Sequence, residues 1–216
     1  RYATEEHGRC YGFNLVYSGN HFGLAEKSNH DLVRVQLGIN PHCFEWKLGS
    51  GESFETPEAV MSYSGEGLNG LSFNFHRFVN SCIVRGKWKN RERPVLLNNW
   101  EANFFKFDRD GLIRLARSAK KLGVELFVLD DGWFGDRNTD TAGLGDYNVN
   151  TQKLPGGLSE LAKQINKMGL SFGLWFEPES VNEDSELYRT HPDWAILPPS
   201  GEAVLGRNQL LLDLTR

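Results

Sequence analysis

Leu126-Phe127-Val128-Leu129-Asp130-Asp131-Gly132-Trp133-Phe134-Gly135 is the stretch that decides how this chain is read. Its first four residues are apolar and lie between Glu125 and Asp130. A short apolar run bounded by polar residues is the pattern of a strand buried on both faces in a parallel sheet. Two acids directly after such a strand repel one another unless hydroxyls, a cation or backbone N–H groups bind them. Asp-Asp-Gly is also turn chemistry, in which one carboxylate caps the segment that follows. Two acids rather than one, with Trp133 beside them, favour a binding role.

The pattern outward from this strand alternates strand and helix. Upstream, Val95-Leu96-Leu97 is expected as a short buried strand, followed by Leu112, Leu115, Ala116, Ala119 and Leu122 at the spacing of an amphipathic helix. Asp108 is expected to cap that helix, Lys120 and Lys121 suit its negative end, and Gly123 can take the left-handed stop. Downstream, a loop from Gly132 to Gly157 leads to a second helix with Leu158, Leu161, Ala162, Ile165 and Met168 inward, ended by Gly169. A third strand follows at Phe172-Gly173-Leu174-Trp175-Phe176, and then a helical stretch with Leu187 and Tyr188. Parallel strands with crossover helices form either a doubly wound sheet or a β/α barrel. Where a dinucleotide fold would carry a glycine-rich loop, the first turn holds Asn98-Asn99-Trp100-Glu101-Ala102, so the barrel is preferred and no nucleotide cofactor is expected.

The N-terminal part reads differently. Phe13, Leu15 and Tyr17, then Val33, Val35, Leu37 and Ile39, then Phe44, Trp46 and Leu48 alternate with the period of half-buried strands. Turns at Ser18-Gly19-Asn20 and Gly49-Ser50-Gly51-Glu52 separate them. Residues 1–63 are therefore expected to be the end of an antiparallel β-sandwich. Residues 64–93 form a helical linker through Phe73, Phe75, Phe78 and Val79, and 94–216 hold the first three β/α units of a (β/α)8 barrel.

Composition agrees with a globular protein: 216 residues, 39% hydrophobic, with 28 Asp+Glu against 24 Lys+Arg for a formal charge of −4. Disorder would need fewer apolar residues and more net charge. No run approaches the roughly 18 to 20 apolar residues of a membrane span, and the mild acidity offers no basic stripe for nucleic acid. Cys10, Cys43 and Cys82 are odd in number and lack metal-site spacing, which suits buried thiols in a reducing compartment. The six histidines show no metal-ligand spacing, so no metal is expected. A chain opening at Arg1 and stopping just after Leu210-Leu211-Leu212-Asp213-Leu214 is expected to be cut from something longer.

In a β/α barrel the residues after each strand face the active site. Here these are Asn98, Asn99, Trp100 and Glu101, then Asp130, Asp131 and Trp133, then Trp175, Glu177 and Glu179. Carboxylates accept hydrogen bonds from vicinal hydroxyls and an indole covers the apolar face of a pyranose, so the set has a sugar-binding composition. Trp175 could equally be core, and the two glutamates a solvated loop or a helix start.

Four motifs in order, Asn98-Asn99-Trp100-Glu101-Ala102, Val128 to Gly135, Gly173-Leu174-Trp175-Phe176-Glu177-Pro178-Glu179 and Gly206-Arg207-Asn208-Gln209, resemble the bacterial α-galactosidases of glycoside hydrolase family 36, of raffinose and melibiose type. The resemblance implies that Asp130 and Asp131 grip the 4- and 6-hydroxyls of galactose, that Trp175 lines the same subsite, that Arg207 is a cationic donor and that Trp100 lies nearer the leaving group. It also implies a retaining glycosidase without cofactor, a galactoside oligosaccharide as substrate, and a cytoplasmic, homo-oligomeric full-length protein. The family's nucleophile sits in a Lys-x-Asp strand motif. Lys106-Phe107-Asp108 has that spacing but falls at a helix start, so nucleophile and acid/base are both expected beyond Arg216. A sugar-binding module without chemistry and a metal-dependent hydrolase using Asp130, Asp131 and Glu177 are the alternatives.

Overall fold

Hydrogen bonding sorts the N-terminal residues into four strands, β1 (Cys10–Val16), β2 (His21–Lys27), β3 (Val33–Ile39) and β4 (Glu58–Ser64). The computed structural model describes residues 2–42, 44–201 and 205–216 and divides into two units, Arg1–Glu92 and Arg93–Arg216. In the first unit β1 pairs antiparallel with β4, Phe13 opposite Met61, while β2 pairs antiparallel with β3, Gly23 opposite Leu37. Ser18-Gly19-Asn20 links β1 to β2 as a bend, as expected.

The expected strand at Phe44, Trp46 and Leu48 does not form. Its rings gather on Phe54 instead, with centroids 6.3 Å from Phe44 and 4.8 Å from Trp46, so the alternation reflects a local aromatic cluster rather than a ladder. The helix α1 (Gly67–Phe78) packs on β1 and β4 and runs into a π-helical turn at Val79–Ile83, so residues of the expected linker belong to the first unit. Gly67 opens α1 at φ 77°, where an added Cβ would lie 2.6 Å from the Thr4 carbonyl oxygen. The thiol of Cys10 is buried but that of Cys82, on the π turn, is exposed, contrary to the expectation of buried thiols; Cys43 lies outside the described residues.

The second unit begins with β5 (Leu96–Asn98), the short helix α2 (Trp100–Asn103), α3 (Arg109–Lys121) and β6 (Leu126–Leu129). It continues with α4 (Gly157–Lys167), β7 (Ser171–Leu174), β8 (Ser180–Val181), α5 (Glu186–Thr190) and β9 (Leu210–Leu211). Strands β5, β6 and β7 lie side by side in chain order and are parallel, with Phe127 between Leu97 and Phe172. Leu112, Ala116 and Ala119 of α3 and Leu161 and Ile165 of α4 bury the inner stripes, closing with Phe127, Leu129, Trp133 and Phe134 into one apolar core. Each such leucine contributes about 1.5 to 3 kcal/mol by leaving water.

Asp108 caps α3 as expected, its Oδ1 accepting the Gly111 N–H at 2.7 Å. Leu122, expected on the inner stripe, is 84% exposed because the chain has already left helical geometry there. Val95 and Leu96 are likewise exposed rather than buried, and of the expected strand Leu97 is the residue that packs against the core. The third strand ends at Leu174, earlier than expected, which leaves Trp175 and Phe176 beyond its C-terminal end. Among the described residues no helix is long and apolar enough to cross a membrane.

Candidate active site

The C-terminal ends of β5, β6 and β7, together with the turn before β9, surround one cavity of about 350 Å³. Trp100 comes from the end of β5, and Asp130, Asp131 and Arg137 from the end and loop of β6. Trp175, Phe176, Glu177 and Glu179 follow β7, and Arg207 completes the lining. The five residues that the family resemblance implies for the sugar, Trp100, Asp130, Asp131, Trp175 and Arg207, all line this space, as do Glu177 and Glu179, whereas Asn98, Asn99, Glu101 and Trp133 are not in the lining. A larger groove of about 720 Å³ in the first unit is lined by residues such as Phe13, Leu15, Leu37 and Phe78 and carries no carboxylate.

The two adjacent acids are held apart by different partners. Asp130 is fixed from β5: its N–H donates to Asn99 Oδ1 at 2.8 Å, and its Oδ2 accepts a short hydrogen bond from Asn98 Nδ2. Asn98 Oδ1 in turn accepts the Trp100 N–H at 2.8 Å, so one asparagine sets both Trp100 and Asp130. Asp130 also behaves as the turn reading requires, its Oδ1 accepting the Asp131 N–H at 2.7 Å. Asp131 is buried against Arg137, whose Nε lies 3.0 Å from both carboxylate oxygens and whose Nη2 lies 2.8 Å from Oδ2. The guanidinium cancels the charge of one acid and so removes the repulsion that the sequence poses.

Arg137 is 2% exposed and stands 5.5 Å above the Phe105 ring. Its loop is pinned by Lys153, whose Nζ donates to the carbonyls of Phe105, Gly132 and Arg137 at 3.2, 2.9 and 3.1 Å. Burial pulls the Lys153 ammonium below the usual lysine range, and the Asp131 carboxylate partly opposes this. Trp133, beside the acids in sequence, points away from the cavity into the core. Its indole N–H donates to the Trp175 carbonyl at 3.1 Å, which holds the start of the β7 loop. Tyr147 stacks against Trp133 with centroids 6.0 Å apart, and its Oη accepts the Glu177 N–H at 3.1 Å. Burial, reinforced by the carboxylates of Glu177, Asp131 and Glu179 and opposed by the Glu177 N–H, pushes the Tyr147 phenol up to about 12.

Sequence reasoning missed Arg137, Lys153 and Asn182, which lie in loops without periodicity. The available signal was the demand of two adjacent acids for a cation nearby. Asp130, Asp131 and Glu177 line the cavity, but among the described residues no three His, Cys, Asp or Glu side chains are grouped as a metal ion requires.

Comparison with known proteins settles the family. The melibiase profile matches residues 53–216, and that of the glycosyl hydrolase family 36 N-terminal domain matches residues 1–49. The chain belongs to glycoside hydrolase family 36. It is 52% identical over 214 residues to α-galactosidase AgaA of Geobacillus stearothermophilus and 47% identical over 209 residues to Mel36A of Lactobacillus acidophilus. It covers 99% and 97% of itself in these matches but only 29% of either relative's length. The crystal structure of AgaB from G. stearothermophilus superposes with a TM-score of 0.90 at 52% identity, over 99% of this chain and 30% of that one. AgaA variants have been solved in complex with raffinose and with stachyose. As in other family 36 members, the antiparallel strands are part of an N-terminal β-sandwich, and β5, β6 and β7 open a (β/α)8 barrel.

Proposed function

We propose that the full-length protein containing this segment hydrolyses terminal non-reducing α-D-galactosyl residues of raffinose-series oligosaccharides, with retention of configuration. The observation that carries this reading is the convergence of acids and indoles from three consecutive strand ends on one cavity. Asp130 and Asp131 accept hydrogen bonds from the 4- and 6-hydroxyls, Trp175 covers the apolar face of the ring, Arg207 donates to the sugar, and Trp100 lies toward the leaving group. In a retaining hydrolysis one carboxylate attacks the anomeric carbon while a second protonates the leaving oxygen, and that second group then deprotonates the water that releases galactose. Both carboxylates are proposed to lie outside the 216 residues of this chain. The complexes of AgaA with raffinose and stachyose support the substrate class.

The protein is further proposed to act as a homo-oligomer in a reducing, cytoplasmic setting, which the free thiols of Cys10 and Cys82 suit. Light scattering on the purified protein and fractionation of the producing cell test these two points. For the activity itself, the full-length protein is assayed on 4-nitrophenyl α-D-galactopyranoside and raffinose, with NMR of the first product anomer. Release of α-galactose first is the expected result, and residues 1–216 alone give no turnover. Full-length protein that binds galactose without hydrolysing either substrate contradicts the proposal and leaves a binding module.

A further inference from the structure

Asp131 and Arg207 reach the cavity from distant parts of the second unit, and one buried amide lies between their supports. Asn182, directly after β8, is fully buried and uses its whole hydrogen-bonding capacity. Its Oδ1 accepts from Arg137 Nη1 at 2.8 Å and from the Leu144 N–H at 3.0 Å. Its Nδ2 donates to the carbonyls of Asp140 at 3.2 Å and Asn208 at 2.8 Å. The guanidinium that grips Asp131 is thus hydrogen-bonded to the side chain that holds the backbone next to Arg207.

That backbone needs holding. Arg207 and Asn208 both have positive φ, 53° and 61°, in a tight turn closed by the Gln209 N–H on the Gly206 carbonyl at 3.0 Å. Residues with side chains rarely adopt this conformation unless their surroundings fix it. A buried ion pair such as Asp131–Arg137 adds little stability over an apolar core of the same shape. What the planar guanidinium does fix is the orientation of the carboxylate it grips.

We propose that Arg137 and Asn182 are positioning residues forming a relay that holds the Asp131 carboxylate and the Arg207 turn in one fixed frame. The inference rests on the galactoside reading for the ligand that Asp131 and Arg207 serve. The relay itself is drawn from the hydrogen-bond pattern alone.

The test is a double-mutant cycle in the full-length enzyme, reading kcat/KM on 4-nitrophenyl α-D-galactopyranoside. Asn182→Asp keeps the shape and both acceptor bonds but turns the two donor bonds into repulsions. It is expected to cost on the order of 100-fold, the scale of a misplacement by about 1 Å. Combined with Arg207→Ala, it should be no worse than Arg207→Ala alone within about threefold, because both act through one side chain. Losses that multiply, or an Asn182→Asp enzyme within about twofold of wild type, overturn the relay.

Should Asn182→Asp fail to melt cooperatively, Arg137→Lys replaces it, retaining the charge without the fork. The rate ratio between the galactoside and a β-L-arabinopyranoside, the same ring without its hydroxymethyl group, is then expected to fall about tenfold. Equal losses on both substrates mark a merely structural role and overturn the relay. Failure of the galactoside reading gives a different result, a wild-type protein with no turnover of either substrate.

Discussion

The inner wall of the cavity, behind Asp131, and its rim at Phe176, Glu177 and Glu179 each carry two charged side chains but hold them in opposite ways. On the wall, Asp131, Arg137 and Asn182 are buried, and Arg137 is hydrogen-bonded to the side chains of both the others. On the rim, Phe176 and Glu179 are exposed, and Glu177 is tied through its backbone N–H to Tyr147. Charges in the first region are insulated from water and fixed in direction, so they specify geometry. Those in the second are screened, so a ligand can displace their water at low cost.

The strongest way to break this contrast is to remove the cation from the wall. Arg137→Met leaves Asp131 buried without its paired guanidinium, Lys153 being the remaining cation that feels its charge, and urea unfolding of the full-length protein should show a loss of about 3 to 5 kcal/mol. Next, Asp131→Asn keeps the shape of the wall but weakens acceptance from a sugar hydroxyl. It should cost roughly 2 to 4 kcal/mol of transition-state stabilisation in kcat/KM, with unchanged kinetics removing Asp131 from the subsite. On the rim, Glu179→Gln should alter stability by less than about 0.5 kcal/mol in the same unfolding experiment. A loss as large as that for Arg137→Met would erase the distinction between the two regions.

The last effect is a matter of pH. The fold raises the Tyr147 phenol from its ordinary 10.0 to about 12, so the folded state keeps a proton that the unfolded chain releases. The stability that this contributes is complete below pH 10 and is lost as pH rises toward 12. Tyr147→Phe removes this dependence. Alkaline unfolding curves should fall more steeply for the wild type than for the variant across that window.

The sequence made the second unit legible because its parallel sheet announces itself in the apolar run 126–129 and its helices in i, i+3, i+4 stripes that the core indeed buries at Leu112, Ala116, Leu161 and Ile165. Reading was poorer where side-chain period and backbone pairing part company. Ala59, Met61 and Tyr63 alternate within the strand Glu58–Ser64, whereas Phe44, Trp46 and Leu48 alternate just as regularly without forming one. For the site, a position after a strand end was enough to gather Trp100, Asp130, Asp131 and Trp175 around one cavity. What it could not supply was the partner of each acid. Arg137 and Asn182 are brought to Asp131 by tertiary folding of loops, and one-dimensional spacing carries no trace of that.

A crystal structure of the full-length protein soaked with galactose tests the central claim most directly. The account predicts one pyranose between Asp130, Asp131 and Trp175, its 4- and 6-hydroxyls within hydrogen-bond distance of the two carboxylates. Galactose bound elsewhere, with those three side chains contacting only protein, would contradict it.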